Sequence, residues 1–435
     1  MAPAGPADTA GRDPRIEKIL SQVSAERLTG ILKKLGSFGT RNTLSSTDSS
    51  TMGIGAARQW IFDEMTKSSA RLQVGFETYP VPRGGRITRD IELRNVVAVL
   101  PGKSARRIYV SGHYDTYAAI RGVASRPAPA AAAASARAPA APTADAPPVD
   151  NPAPGVNDDG TGTALVMELA RVFAGSGVDF DATLVFIAFA GEEQGLIGAT
   201  RHAEKAVAEK LAIDAVLNND MVGNVQGGDG LEDSIHVRVF SEGPEDSPSR
   251  QLARYMVRAG ALYVPTDQVT LVARHDRFGR GGDHTPFNQR GFTAVRITEK
   301  VENYERQHTA ADTFEGVDVP YFVRNVKLNA ATMASLALAP PAPAVTDDRG
   351  PTIGRQPSGY DAALRWKASP GAAGYKVFWR EAWTPDWQHE VSVGQVTEFV
   401  LPAMSIDDYI FGVAAVGPAG NESLVSVYVN PPRRR

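Results

Sequence analysis

The chain has 435 residues, which at roughly 150 per domain implies two or three domains, and 46 Lys and Arg against 49 Asp and Glu leave a formal charge of −3. That balance gives no basis for a nucleic-acid or anionic-membrane partner, and the absence of cysteine excludes a disulfide framework, a thiolate metal site and a cysteine nucleophile. The most apolar run, Thr183 to Ala190 (TLVFIAFA), is far shorter than the about 20 residues of a membrane-spanning helix, so no membrane insertion is expected.

The amino-terminal MAPAGPADTAGRDP has no basic start leading into an apolar stretch, so any secretion signal is expected to have been removed or never to have existed. Ile16, Ile19, Leu20 and Val23, then Leu28, Ile31, Leu32 and Leu35, have the spacing of two amphipathic helices. A Ser/Thr-rich turn (Ser45 to Thr51) precedes a further helix around Trp60, Ile61 and Met65, and Leu72, Val74 and Phe76 alternate as a half-buried strand. Arg107 to Gly112, Thr183 to Ala190, Ala215 to Asn219, Val269 to Val272 and Ala294 to Ile297 then read as strands. A helical face at Leu165, Leu169, Val172 and Phe173 stands among them. This alternation predicts a three-layer α/β/α sandwich with a largely parallel, mixed central sheet.

Two segments break the pattern. In Ala124 to Pro147, 18 of 24 residues are Ala or Pro, so residues 121–150 are expected to form an extended, flexible insertion with little to bury. The proline-rich run Leu338 to Val345 is a spacer, which places a first domain at 13–340 and a linker at 341–352. Beyond it, short strands at Ala363 to Trp366, Tyr375 to Arg380, Glu398 to Leu401, Tyr409 to Val416 and Leu424 to Val429 predict a small all-β sandwich at 353–432.

Seven histidines allow each to be weighed. His113 follows a strand, where doubly wound sheets place ligands, and Asp115 two residues on is placed to accept the other imidazole N–H. NDDGTG, Asn157 to Gly162, sets two adjacent acids before a helix, which suits a helix N-cap as well as a ligand. Glu192 and Glu193 leave the most buried strand together and repel each other unless a cation compensates. Asp220 ends VLNND, and His308 follows in QHTAADT. His113, Asp158, Glu193, Asp220 and His308 are oxygen and imidazole donors of the kind that suits zinc, and five of them suit two ions sharing one carboxylate. His202, His236 and His389 are assigned structural roles.

The run of GHYDT, GVNDDGTGTA, AFAGEEQGLIGA, LNNDM, GDHTPF and QHTAADTF resembles the zinc-dependent exopeptidases that include bacterial leucyl aminopeptidases, glutamate carboxypeptidase and the glutaminyl cyclases. The resemblance covers about Ile16 to Ala339. It implies two zinc ions bridged by Asp158, with Glu193 beside His113 on one ion and His308 beside Asp220 on the other. It further implies Glu192 as the general base and Asp115 as the carboxylate orienting His113; Asp283 and His284 of GDHTPF read as cleft-wall residues or supports behind the ligands, because the donor set is complete without them. Several relatives carry a carbonyl-polarising tyrosine directly before the last histidine. This chain has Gln307 there, with Tyr304 as the candidate substitute.

LRW at Leu364 to Trp366 and GYKVFWR at Gly374 to Arg380 resemble a fibronectin type III domain, with Trp366 and Tyr375 in its core and Tyr409 as its tyrosine corner. Trp383 and Trp387 raise carbohydrate or surface contact as a further possibility. The reading is thus a secreted or periplasmic two-zinc aminopeptidase acting on peptides. Carboxypeptidase or dipeptidase, one-zinc glutaminyl cyclase and non-catalytic scaffold remain alternatives. Arg274, Arg277 and Arg280 are the candidate carboxylate clamp of a carboxypeptidase; Glu192, Glu193, Asp158 and Asp159 are candidate partners for a terminal ammonium.

Overall fold

The computed structural model describes residues 11–118, 151–357 and 359–429, so the Ala/Pro-rich segment 121–150 lies outside the described residues. Among the described residues up to 338 there are eight α-helices and eight strands: α1 Pro14–Ser21, α2 Ala25–Ser37, α3 Gly53–Ser68, β1 Gln73–Val81, β2 Ile91–Leu100, β3 Arg107–His113, α4 Gly160–Gly175, β4 Thr183–Phe189, α5 Ile197–Ala208, β5 Ile213–Asn219, β6 His236–Ser241, α6 Pro248–Tyr263, β7 Gln268–Val272, α7 Thr285–Gln289, β8 Ala294–Glu299 and α8 Val319–Leu338. The strands form one sheet in the order β1-β2-β4-β3-β5-β8-β6-β7. Its centre, β4-β3-β5-β8, is parallel; β1 and β2 add antiparallel strands at one side, and β6 runs antiparallel to β8 at the other.

Burial follows the apolar patterns. Every residue of β4 is buried, because helices cover both faces of a central parallel strand. The α4 and α8 faces close one side over Leu165, Leu169, Phe173, Phe322 and Val326. Ala199, Ala203 and Ala206 of α5 pack with Tyr109, Val185 and Ile187 on the other. Two glycines set the distance between β3 and α4: a Cβ on Gly112 would lie 2.5 Å from the Gly162 carbonyl carbon. No other side chain fits there, and the contact brings the start of α4 against the end of β3.

The strand β2 was not foreseen. Its run IELRNVVAVL is buried at most positions and lacks the alternation that marks a half-buried strand.

At the carboxyl end, one small antiparallel sheet joins Ile353–Arg355, Ala362–Arg365 and Glu398–Leu401. A second joins His389–Gly394, Gly374–Glu381, Tyr409–Val416 and Ser426–Val427. Trp366 and Tyr375 are buried with ring centroids 5.4 Å apart, between Val377, Phe411 and Val413. Tyr409 is half-buried against Phe411. The hydroxyls that tie back to upstream backbone belong instead to Tyr375, which accepts from Ser369 N–H, and Tyr428, which donates to Arg365 O. This region rests on α6: Trp387 Nε1 donates to Gln251 Oε1 at 3.1 Å, Tyr255 donates to Glu422 O at 2.9 Å, and Arg380 pairs with Asp246 at 2.5 Å. Trp387 is therefore part of an internal contact and is withdrawn from any carbohydrate surface; Trp383 is 72% exposed.

Candidate metal centre

The carboxyl ends of the four central parallel strands deliver the site. His113 is the last residue of β3, Glu192 and Glu193 lie in the turn after β4, Asp220 directly follows β5, and His308 stands in the loop after β8 with φ of +58°. Asp158 arrives from the turn before α4. Of the adjacent acids, Asp159 is the N-cap, accepting from Gly162 N–H, His113 N–H and Met221 N–H. With its oxygens so engaged, Asp159 leaves the set of candidate ammonium partners, and Asp158 alone faces the cluster.

The five ligand-type side chains meet as two triads that share Asp158. Asp158 Oδ1 lies 3.5 Å from His113 Nε2, which in turn lies 4.0 Å from Asp220 Oδ1. Asp158 Oδ2 lies 3.1 Å from His308 Nε2, itself 3.0 Å from Glu193 Oε1. Each carboxylate oxygen of Asp158 thus serves one triad. This corrects the implied pairing: His113 stands with Asp220, and Glu193 stands with His308, because the turns beyond the strand ends, and not strand adjacency alone, set which side chains meet.

Buried polar groups hold these side chains in place. Asp115 does not reach His113 with its carboxylate, 3.7 Å away; the His113 Nδ1 partner is the Asp115 carbonyl at 3.1 Å. The carboxylate instead accepts the N–H groups of Glu192 and Glu193, both at 3.2 Å, and the Thr43 hydroxyl, so it fixes the acidic turn. Asp312 accepts the N–H groups of Asn157 and Asp158 at 2.9 Å. Glu299 takes Asn157 Nδ2 and the N–H groups of Gly223 and Asn224. Arg296, fully buried on β8, places Nη2 2.8 Å from Asp220 Oδ2 and Nη1 3.2 Å from Asp276 Oδ2.

Gln307 donates to Asp158 Oδ2 at 2.9 Å, so it supports the shared carboxylate. Tyr304 is 66% exposed. Asp283 and His284 are buried as cleft-wall residues would be; burial pushes the Asp283 carboxyl up to about 8 and the His284 imidazole down to about 3. The candidate arginine clamp is engaged elsewhere: Arg277 and Arg280 pair with Glu302 at 2.6 and 3.4 Å, and Arg274 lies over the Phe278 ring. His202 binds Glu77, His236 binds Asp233, and His389 stacks on Trp379, all away from the triads.

The electrostatics ask for a cation. Burial alone would lower the pKa of His113, yet Glu192, Asp158, Asp159 and Asp220 raise it well above the imidazole range. His308 is raised in the same way by Glu193 and Asp158, against burial. Burial, reinforced by Glu193, Asp220 and Asp283, pushes the Glu192 carboxyl well up, making it a group able to hold a proton. Glu193 Oε1 is buried without a well-aligned hydrogen bond. Buried oxygen and imidazole donors concentrated with carboxylates in this way fit a borderline divalent ion such as zinc.

Comparison with known proteins agrees with this chemistry. Residues 95–333 match the model of peptidase family M28. A probable zinc metalloprotease of Leptosphaeria maculans is 36% identical over 440 residues, covering 93% of this chain and 94% of that protein. One from Pyricularia oryzae is 36% identical over 452 residues, covering 94% and 84%. In fold, the chain is similar to the LapA aminopeptidase of Legionella pneumophila, with a TM-score of 0.55 at 19% identity over 75% of each chain. It is also similar to a glutaminyl cyclase of Fimbriiglobus ruber, with a TM-score of 0.51 at 19% identity over 72% of this chain and 95% of that one.

Proposed function

The chain belongs to peptidase family M28, a family of zinc metallopeptidases, and from that premise we propose that it is a two-zinc aminopeptidase removing amino-terminal residues from peptides. The observation that carries the reading is the pair of triads sharing Asp158, since a one-ion cyclase has no use for a second complete donor set. His113, Asp158 and Asp220 would hold one zinc, and Asp158, Glu193 and His308 the other. Once bound, the two ions supply Lewis acidity that acidifies the attacking water and polarises the scissile carbonyl.

The remaining steps belong to the chain. Glu192, with Oε2 4.0 Å from His113 Nε2, stands at the mouth of the first triad without belonging to either. There it would take a proton from water and return it to the leaving amine. Asp115 keeps Glu192 and Glu193 in fixed relation by accepting both their N–H groups, so the proton carrier and the ligand stay in register. Export to a secreted or periplasmic location and a fibronectin type III-like carboxyl-terminal module, both from resemblance, complete the proposal. Leucine p-nitroanilide, with a free amine and no carboxylate, should be cleaved, and its N-acetyl form should resist. Equal cleavage of the acetylated compound would overturn the aminopeptidase assignment.

A further inference from the structure

We propose that the arginine-lined pocket beside the acidic turn is a carboxylate subsite that reads the free carboxyl terminus of a short peptide substrate. The inference rests on the exopeptidase reading and narrows its substrate class. The pocket, about 370 Å³, lies between α3, the start of β2 and the turn that follows β4; Arg58, Arg89, Tyr114 and Ala190 are among its walls. Tyr114 adjoins the ligand His113, and Ala190 precedes the Glu192 turn.

The pocket wall carries three arginines, Arg58, Arg89 and Arg94, against two acids, Asp90 and Glu92. Arg58 is 9% exposed, and its Nη1 donates to the Glu92 carbonyl at 3.4 Å. Arg89 donates to the Leu44 carbonyl at 3.1 Å. Among the described residues, no carboxylate lies within 4.0 Å of either guanidinium. The two acids of the pocket wall are already engaged, Glu92 by Arg94 at 2.5 Å and Asp90 by the Arg83 N–H at 2.7 Å. A guanidinium so withdrawn from water gains most from a carboxylate, which it can bind with two parallel hydrogen bonds.

The same arginine-bearing loop touches the metal cluster. Between β1 and β2 the backbone closes on itself at Gly84 and Ile87, with hydrogen bonds of 2.8 and 2.9 Å, and Arg86 donates to the Glu193 carbonyl at 2.6 Å. This fastens the loop to a residue of the second triad. The arginines suggested as a clamp by sequence, Arg277 and Arg280, are already paired with Glu302. Arg58 and Arg89 take that role, on the opposite side of the sheet centre.

The test compares leucyl-leucine with leucyl-leucinamide on the zinc-loaded full chain. Wild type should favour the free acid by about tenfold in kcat/KM, through KM. Arg89→Gln, at an exposed position, and Arg58→Gln should each bring the ratio close to one while leaving leucine p-nitroanilide turnover within about twofold. A wild-type ratio near one, or a ratio that both folded variants leave unmoved, overturns the proposal. So does full recovery of the preference with leucyl-glutamyl amide, which would assign the arginines to an acidic side chain. Should no free-amine substrate be cleaved, the aminopeptidase reading fails by itself. Calorimetric affinity for N-acetyl-leucine against N-acetyl-leucinamide then decides the subsite: about tenfold tighter binding of the acid, lost in Arg89→Gln, upholds it, and equal affinities overturn it.

Discussion

The triad of His113, Asp158 and Asp220 and the triad of Asp158, Glu193 and His308 share one carboxylate and are held in different ways. His113 and Asp220 leave neighbouring parallel strands. The His113 side chain is 2% exposed, and Arg296 braces Asp220 from the next strand. His308 sits on a loop, its side chain 29% exposed, with the Tyr117 ring edge-on at 5.3 Å. One triad is therefore built into the sheet, while the other is completed by a loop that local fluctuation can open.

The largest expected effect comes from a residue outside both triads. Glu192→Gln should lower kcat by about 10²–10⁴-fold with zinc content unchanged, measured by steady-state kinetics alongside elemental analysis. Loss of zinc would make Glu192 a ligand and dissolve the distinction between carrier and triads. Arg296→Met leaves Asp220 and Asp276 buried without their shared cation, and should cost about 3–5 kcal/mol in denaturant unfolding. Its effect on metal should fall on the sheet-built triad, so equal weakening of both zinc affinities would contradict the division.

Asp115→Asn retains one acceptor oxygen for two N–H groups and should reduce activity or zinc affinity by roughly 10–100-fold. An effect as large as that of His113→Ala would mean that the carboxylate acts on the metal itself. The smallest change is expected far from the site. Trp387→Phe removes one hydrogen bond to Gln251, worth about 1 kcal/mol, and should shift Tm by less than about 4 °C with zinc and turnover intact. A change in zinc content would show that the carboxyl-terminal region bears on the site through α6.

The five donors that the structure brings together stand in short motifs, three of them at or just beyond a strand end, which is why order along the chain could single them out. Their grouping was not legible, since it depends on contacts between segments far apart along the chain. In the order β4-β3-β5-β8, β3 has β4 and β5 as equal neighbours, and only the course of the turns beyond the strand ends sets Asp220 beside His113 and Glu193 beside His308. Arg296, Asp312 and Glu299 escaped notice for the same reason. Arg296 reads as one charge in a strand, AVRITE, until β8 pairs with β5 and brings it against Asp220. The role of Asp115 was half legible: its position beside His113 was clear, but the backbone path gives its carbonyl to the imidazole and its carboxylate to the Glu192 turn. A better signal for Arg296 is available in principle, since an arginine inside a central strand covered on both faces requires a buried anion.

Zinc stoichiometry during chelator titration, followed by native mass spectrometry of the full chain, tests the central claim most directly. Two zinc ions per chain are expected at saturation, with a one-zinc species accumulating as the loop-completed triad empties first, and His308→Ala should saturate at one. Saturation of the wild-type chain at a single zinc, or at none, would contradict the account.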